Sequence, residues 1–398
     1  MRTGTFSALV IAAVATSAGA IPAMAACTAA ARVLGSNKPP SLTVLTNAGV
    51  SPGDVFLANF GPPNGYGAGP EILSTTGRVI WYHPVPAGTS VTDFRTQTYL
   101  GQPVLTWSQS ASFGGTPTDY IYDDHYKQIA TVKAGDGAAT DLHEFLVTPW
   151  NTALITATKT TTANLTAIGG RRDQTVTDGL VQEIDIRTGK VLLQWNSAGH
   201  VPYGDSHLPL PQKASQAWDW FHINAVHLDP SGNLIIDSRY TWAFYDVSQH
   251  TGKVLWQLGG KHSSFTEKAV AGQVLDSAHE IFAWQHDPSA VSSNVYTVFD
   301  DESDGDSTLL PYSRAVTIQL NFRTHVATLV QSDNQPEGLG TPAFGSAQTT
   351  SDRDLFVGWG EAPSISEFSP SGKLMFNAVF NGGSFTYRAY LLPWNPAV

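Results

Sequence analysis

The chain has 398 residues, of which 42% are hydrophobic and 11% aromatic while only 14% are charged. This composition supplies a large packed core and excludes a disordered chain. The 22 basic and 33 acidic residues give a formal net charge of −11, which argues against a nucleic-acid partner because phosphate binding needs a basic surface. The single cysteine excludes a disulfide framework within the chain and any zinc or iron–sulfur site built from several cysteines.

The first 26 residues predict a secretory signal peptide. Arg2 precedes an apolar, alanine-rich run that begins at Phe6, and the small-residue motif Ala23-Met24-Ala25 follows this run. A basic start, a short apolar stretch and a small-residue cleavage site are typical of such a signal. We therefore expect the chain to be exported.

The only cysteine stands at the predicted cleavage site. Met24-Ala25-Ala26-Cys27 is similar to a bacterial lipoprotein signal. Two outcomes stay open: lipidation of Cys27, which would anchor the chain at the cell surface, or ordinary cleavage, which would leave a free thiol. Either outcome predicts an extracytoplasmic protein, and residues 27–45 are expected to form a flexible N-terminal segment.

A repeated hairpin pattern indicates the fold. Four segments each contain a strand, a polar turn ending in glycine, a basic residue and a second apolar strand, and two degenerate copies fill the gaps between them. Glycine suits such turns because it adopts positive φ without a Cβ clash. The four segments are 72–81, 184–193, 245–256 and 367–376, and the degenerate copies are 122–129 and 319–326.

A second pair of strands precedes most of these hairpins, as at 145–147 and 153–156. Radial repetition of four-stranded units is a β-propeller. We predict an all-β fold, in which residues 46–398 form a single six-bladed β-propeller of four-stranded antiparallel blades. Seven blades are the alternative if a terminal strand is misread, and a pair of β-sandwiches is the competing architecture, which the regular repeat disfavours.

Three histidines occupy equivalent places in the repeat. His143, His222 and His286 each stand at the head of the first strand of a unit. Because the first strand of each blade lines the central channel of a propeller, the sequence predicts three imidazoles in one axial pocket.

Two further polar residues belong to the His222 unit. Asn224 lies two positions after His222, and Arg239 ends the second strand. A guanidinium fits the oxygens of phosphate, sulfate or carboxylate, so these donors predict a site for a small anion. The alternative is that Arg239 pairs with a nearby carboxylate, such as Asp237 or Asp246, and only joins the blades.

At these residues the chain resembles the arylsulfate sulfotransferases, a family of exported propeller enzymes that use no nucleotide sulfate donor. The resemblance runs from about residue 52 to residue 394. Its most specific parts are WFHINAV at 220–226, DSRYTW at 237–242, TGKVLWQLGGK at 251–261, QHD at 285–287 and LHE at 142–144.

The resemblance implies a role for each matching residue. His222 matches the nucleophile that becomes a sulfohistidine, Arg239 the guanidinium that holds the sulfuryl oxygens, and Asn224 a substrate-binding amide. His143 and His286 match two supporting histidines. The tyrosine position that completes the family's pocket is not assigned by the resemblance.

The implied activity is transfer of a sulfuryl group from a phenolic sulfate ester to a phenolic acceptor by a ping-pong mechanism, with no cofactor. A neutral imidazole is nucleophilic near pH 7, and cationic donors can stabilise the transferring group as they do in phosphoryl transfer. The oligomeric state stays open.

Four other interpretations compete with this one. Three histidines can bind a catalytic metal, but the positive charge of Arg239 disfavours a divalent cation. The acidic run at 300–306 departs from the spacing of a calcium loop and is expected to be a solvated loop between blades.

The third is a non-catalytic exported propeller that binds a small anion or a partner on its channel face, since propellers host many functions. A sulfatase-like hydrolase, in which water replaces the acceptor, would share the same histidines.

Overall fold

Strands connected by turns and loops make up most of the protein. The structure, a computed structural model, describes residues 38–60 and 66–395, so the predicted signal peptide and Cys27 lie outside the described residues. In chain order the strands are β1 (Leu42–Asn47), β2 (Asp54–Phe60), β3 (Gly69–Leu73), β4 (Val79–Tyr82), β5 (Ser90–Tyr99), β6 (Gln102–Ser110), β7 (Thr118–Tyr122), β8 (Gln128–Val132), β9 (Ala139–Val147), β10 (Thr152–Ala163), β11 (Gln174–Asp185), β12 (Val191–Asn196), β13 (Ile223–Leu228), β14 (Leu234–Ser238), β15 (Ala243–Val247), β16 (Val254–Gly259), β17 (Thr266–Ala269), β18 (His286–Ser292), β19 (Val295–Asp300), β20 (Arg314–Asn321), β21 (Val326–Asn334), β22 (Ser346–Thr349), β23 (Leu355–Gly358), β24 (Ser364–Phe368), β25 (Leu374–Phe380) and β26 (Phe385–Leu392).

Helical structure in the described part of the chain is limited to three short 3-10 helices, Thr166–Ile168, Tyr203–Asp205 and Arg239–Thr241. A search of the same residues for a helix long and apolar enough to cross a membrane gave none.

The strands form six sheets, which are the six blades of a propeller. Strands β5 to β8, β9 to β12 and β13 to β16 make three four-stranded antiparallel blades in sequence order. Two blades gain a fifth strand at the outer edge: β1 pairs with β25, and β17 runs parallel to β21. The prediction of a six-bladed all-β propeller is confirmed, and each of the six predicted hairpins is a pair of consecutive strands in the outer half of a blade. Strand β1 begins at Leu42, before the predicted domain start at residue 46.

The ring closes by pairing the two ends of the chain in one blade. Strand β26 is the innermost strand of that blade and pairs with β2, so that Asp54 lies opposite Leu392 and Leu57 lies opposite Ala389. The innermost strands β5, β9, β13, β18, β22 and β26 each contact the next one around the channel. Closure leaves no open edge in this ring, which keeps the channel wall continuous.

Apolar side chains between neighbouring blades form the cores. One cluster joins Val181 of β11 to Phe221 and Val226 beside and within β13. The indole of Trp195 also reaches across this interface and donates to the carbonyl of Gly252 at 3.1 Å. Burial of such apolar surface is the main favourable term that holds the blades together.

Five of the six innermost strands contain a register shift at mid-strand. In β22, by contrast, every residue pairs in step with β23. A β-bulge leaves residues unpaired and re-aims their side chains. Each of the five shifts leaves unpaired one residue of the following set: Asp93, Glu144, Asn224, Asp287 and Arg388.

Candidate active site

The structure brings together the three predicted histidines at one end of the channel. The ring of His143 lies 5.0 Å from that of His222 and 5.7 Å from that of His286, measured between centroids. Tyr387 of β26 joins them, with its ring 5.7 Å from that of His286 and its hydroxyl donating to the carbonyl of His143 at 2.9 Å. We call these four residues the histidine layer.

His222 and His286 lie at the start of an innermost strand, whereas His143 lies in the middle of β9, which begins four residues earlier than the predicted strand head. His143 is in β9, His286 opens β18, and His222 directly precedes β13. His222 has a φ of 50°, a left-handed conformation that costs a residue other than glycine on the order of 1 kcal/mol. The amide of Arg239 donates to the carbonyl of His222 at 3.1 Å and helps to hold this conformation.

Two of the imidazoles are oriented by aspartates. Nδ1 of His143 lies 2.6 Å from Asp141, and Nδ1 of His222 lies 2.5 Å from Asp219. A carboxylate can only accept a hydrogen bond, so Nδ1 carries the proton in each pair. Nε2 of each ring is therefore left to contact a ligand in the pocket. Burial alone would raise the pKa of Asp141, but the facing His143 and His222 outweigh it and lower that pKa. Asp141 is therefore ionised and can stabilise a proton on its imidazole.

The third imidazole is in a different environment. His286 is buried, and burial, followed by the charge of Arg388, holds its pKa well below the ordinary value. Its Nδ1 is enclosed and has no hydrogen-bond partner among the described residues. His286 is therefore neutral at pH 7, and it differs from the other two rings, whose Nδ1 atoms each face a carboxylate.

Asn224 faces the neighbouring blade. Its Nδ2 donates to the carbonyl of Gln285 at 2.8 Å, and its Oδ1 is enclosed with no partner in the described part of the chain. The amide thus links β13 to the residue before His286. Its predicted contact with a substrate stays a prediction.

Arg239 connects three segments of the propeller, which contain Trp284, residues 301–303 and Pro342. Nη1 donates to the carbonyl of Trp284 at 2.7 Å and to Oδ2 of Asp301 at 2.9 Å, while Nη2 donates to the carbonyls of Ser303 at 3.2 Å and Pro342 at 2.5 Å. The ion pair weighed in the sequence analysis is therefore present, but with Asp301 rather than Asp237 or Asp246. The proposed contact with sulfuryl oxygens stays a prediction.

The acidic run at 300–306 is only in part the solvated loop that the sequence predicted, because residues 304–306 are partly or fully exposed but the first three residues are not. Asp300, Asp301 and Glu302 are fully buried. Arg314 donates from Nε to Asp300 and from Nη2 to Glu302, each at 2.8 Å, and Arg239 pairs with Asp301. Buried charges of this kind persist only when they are paired, so the run supplies counter-ions for two buried arginines.

Arg388 is the central polar residue that sequence reasoning missed. Its Nη1 lies 2.8 Å from Glu144, 3.4 Å from Asp93 and 3.4 Å from Asp287, and its Nη2 donates to the carbonyl of Asn224 at 2.8 Å. It therefore contacts the four other residues at the register shifts, and we call the five together the arginine layer. The only available signal was an arginine inside the apolar run FTYRAYLL at 385–392.

Most of the chain matches a known protein family. A sequence profile described as Arylsulfotransferase (ASST) matches residues 95–381. No curated protein sequence matches the chain.

Similar solved structures include a Bacteroides caccae protein of unknown function, with 12% identity, 85% of this chain and 98% of that chain covered, and a TM-score of 0.49. A virginiamycin B lyase from Staphylococcus aureus shares 8% identity over 87% of this chain and 88% of its own, with a TM-score of 0.38. A protein from Lactobacillus plantarum has 11% sequence identity, with 85% of this chain and 99% of that chain covered and a TM-score of 0.38. These likenesses are too distant to bear on activity. The profile match covers most of the chain, and with it the chain belongs to the arylsulfotransferase family.

Proposed function

We propose that the protein transfers a sulfuryl group from a phenolic sulfate ester to a phenolic acceptor through a sulfohistidine, without a nucleotide donor or other cofactor. The observation that carries the proposal is the histidine layer, in which three imidazoles meet in two protonation environments. A transfer in two half-reactions needs both a neutral nucleophile and a group that moves a proton.

The environments favour His286 as the nucleophile. The resemblance to the family implied this role for His222 instead. His286 stays neutral because its pKa is held low, whereas His222 is paired with Asp219 and is suited to carry a proton. We therefore propose His286 as the nitrogen that accepts the sulfuryl group, with His222 as the alternative that the mapping experiment below tests.

The two half-reactions balance with these residues. The lone pair of a His286 nitrogen attacks sulfur, the bond between sulfur and the phenolic oxygen breaks, and protonated His143 or His222 gives its Nε2 proton to the leaving oxygen. The acceptor phenol then returns a proton to that imidazole while its oxygen attacks sulfur and the nitrogen–sulfur bond breaks. Asp141 and Asp219 stabilise the imidazolium in each cycle.

An aromatic wall beside the histidines suits a phenolic substrate. Phe344 and Tyr387 form a buried apolar cluster, with Leu142 and Phe385 packed against it. The rings of Phe344 and Tyr387 lie 5.3 Å apart, and Phe344 also approaches the ring of His286 at 6.4 Å. An aryl group held edge-to-face or offset against these rings would place its sulfate near the imidazoles.

Arg239 is the proposed cationic donor to the sulfuryl oxygens. Its guanidinium nitrogens Nη1 and Nη2 already donate to four oxygens. Contact with a sulfuryl oxygen requires exchange of a carbonyl partner, and the Ser303 carbonyl has the longest of the four contacts, at 3.2 Å. The proposal therefore includes a movement of the segment around Ser303 when substrate binds.

The test is rapid mixing of the full chain with 4-nitrophenyl sulfate and no acceptor, followed by an alkaline quench and peptide mapping. The alkaline quench is needed because nitrogen–sulfur bonds are acid-labile. We expect one sulfuryl adduct on the peptide that contains His286, absent in His286→Ala and present in His125→Ala, whose imidazole is exposed far from the site. Added phenol should discharge the adduct.

Other outcomes of this experiment separate the alternatives. An adduct on the His222 peptide would keep the transferase and reassign the nucleophile. An adduct that water discharges as fast as phenol would make the protein a hydrolase. If the protein binds aryl sulfates but yields no adduct and no phenol, the transferase proposal fails and a non-catalytic binding propeller is the better account.

Export is proposed from residues 1–26 alone, with lipidation of Cys27 as the open alternative. The intact mass of protein isolated from its native host reads the N-terminus directly. A free terminus near residue 27 supports secretion, a lipid mass on Cys27 supports surface anchoring, and an uncleaved chain overturns both.

A further inference from the structure

The channel has a cavity at the end opposite the histidine layer. Its volume is about 780 Å³, within the range of about 300–1,000 Å³ that small-molecule sites occupy. The later parts of the innermost strands line it, including Arg95 of β5, Val147 of β9, Ser289 of β18 and Leu392 of β26. We call it the far-mouth cavity. The arginine layer separates it from the histidines.

Arg95 presents one unused donor group, Nη1, to this cavity. Its Nη2 is shared among Asp93, Glu144 and the carbonyl of Phe145, whereas Nη1 makes no hydrogen bond among the described residues and Nε is enclosed without a partner. The side chain is 10% exposed, so the guanidinium is held in the cavity wall rather than in solvent. The ring of Tyr390 lies 5.5 Å from its Cζ and fixes its plane.

His227 offers a second nitrogen on the same floor. Its Nε2 lies 3.0 Å from Oδ1 of Asp287 and 3.4 Å from Oε2 of Glu144, and its Nδ1 has no partner in the described part of the chain. Nδ1 is therefore the ring nitrogen that is left for a ligand in the cavity.

A cation is the less suitable occupant. Glu144, His227 and Asp287 place one ligand atom each within 4.8 Å of one another, a spacing that could hold a metal ion. However, Nη1 of Arg388 lies 2.8 Å from Glu144 and 3.4 Å from Asp287, so a guanidinium already supplies the positive charge at this point. A metal ion there would face Arg388 at close range.

The walls are suited to an organic body rather than to a bare ion. Leu146, Val147, Val291 and Leu392 line the cavity beside uncharged polar residues such as Ser289. Such a combination of apolar walls and a few converging polar groups is typical of a small-molecule site.

We propose that the far-mouth cavity is a second binding site, which takes a small organic anion such as a carboxylate or sulfonate. The anionic head is held by Nη1 of Arg95 and by His227, and the apolar body lies against Val147, Val291 and Leu392. The site is independent of sulfuryl transfer, because it shares no residue with the histidine layer.

The test is isothermal titration calorimetry of the full chain with cyclohexanecarboxylate, and with cyclohexylmethanol as the uncharged partner. Neither probe has a transferable sulfuryl group or a phenolic hydroxyl, so failure here leaves the proposed transferase unaffected. We expect the carboxylate to bind at least about ten-fold more tightly than the alcohol, since a paired charge in a partly buried site commonly contributes this much.

Two variants locate the binding. Ser289→Trp fills the cavity without touching the ion pairs, and Arg95→Lys keeps the charge beside Asp93 but removes the Nη1 and Nε donors. Each variant should lower the affinity for the carboxylate by about ten-fold or more. The melting temperature of Ser289→Trp should stay near that of the parent. His286→Ala serves as the matched control and should bind as the parent does.

Three results would overturn the proposal: equal affinity for acid and alcohol, no carboxylate binding at millimolar concentration, or binding that survives Ser289→Trp but is lost in His286→Ala. If Arg95→Lys fails to fold, Ser289→Trp alone decides between a cavity site and binding elsewhere.

Discussion

The histidine layer and the arginine layer are built by adjacent residues of the same innermost strands, yet they differ in how charge is handled. His143 precedes Glu144, and Tyr387 precedes Arg388. In the arginine layer each charge is enclosed and paired, whereas the histidine layer holds aspartate-backed imidazoles and one neutral ring. The difference indicates that the arginine layer stabilises the fold and that the histidine layer is available for chemistry.

The largest expected effect comes from breaking the arginine layer. Arg388→Met leaves Glu144, Asp93 and Asp287 without their shared cation, and removal of one partner from a buried network costs about 3–5 kcal/mol of the free energy of unfolding. Denaturant unfolding measures this loss. His286→Ala is the contrast, since it should abolish transfer with a much smaller loss of stability. If Arg388→Met unfolds at the parent's denaturant concentration, the division between the two layers is wrong.

The fold and the positions of the three histidines could be predicted from the sequence because both follow its repeat. Each predicted hairpin lies at a fixed place in a repeat, and that repeat alone assigns His143, His222 and His286 to positions in or directly before three innermost strands. The position of a residue within the repeat predicts its position along the channel. This prediction therefore needs no knowledge of contacts between distant parts of the chain.

The arginine layer could not be predicted from the repeat because its contacts join residues that are far apart in the sequence. Arg388 lies 244 residues from Glu144 and 164 from Asn224, and only ring closure by β26 brings them together. The register shifts that aim these residues inward arise from strand pairing, which leaves no pattern in the sequence. The same holds for Asp301, a buried counter-ion that composition alone predicted to be solvated.

A smaller effect tests the proton-carrying role within the histidine layer. Asp219→Asn replaces the carboxylate at Nδ1 of His222 with an amide, so the imidazolium loses its counter-ion and the tautomer is no longer fixed. We expect kcat to fall by about 10²-fold or more, in line with the worth of general acid–base catalysis. Stability should change little, because Asp219 is 40% exposed.

Steady-state kinetics with donors of different phenol pKa would measure this. The loss should be greatest for poor leaving groups, which need the proton most, and Asp352→Asn, at an exposed carboxylate, should leave all donors unaffected. A uniform loss across donors would mean that Asp219 only positions the ring.

A pH dependence of stability is expected from Glu144. Burial would raise its pKa, but Arg388, Arg95 and His227 together outweigh burial and lower it from 4.5 to about 2. A carboxyl whose pKa is lower in the folded state stabilises the fold above its unfolded pKa, and this contribution is lost as the pH falls from 4.5 through about 2. Glu144→Gln should therefore unfold more easily than the parent at pH 6 and lose less stability on acidification, as melting temperatures across this range would show. An equal loss in both proteins would mean that Glu144 is not held ionised by the arginine layer, and the contrast between the two layers would then rest on geometry alone.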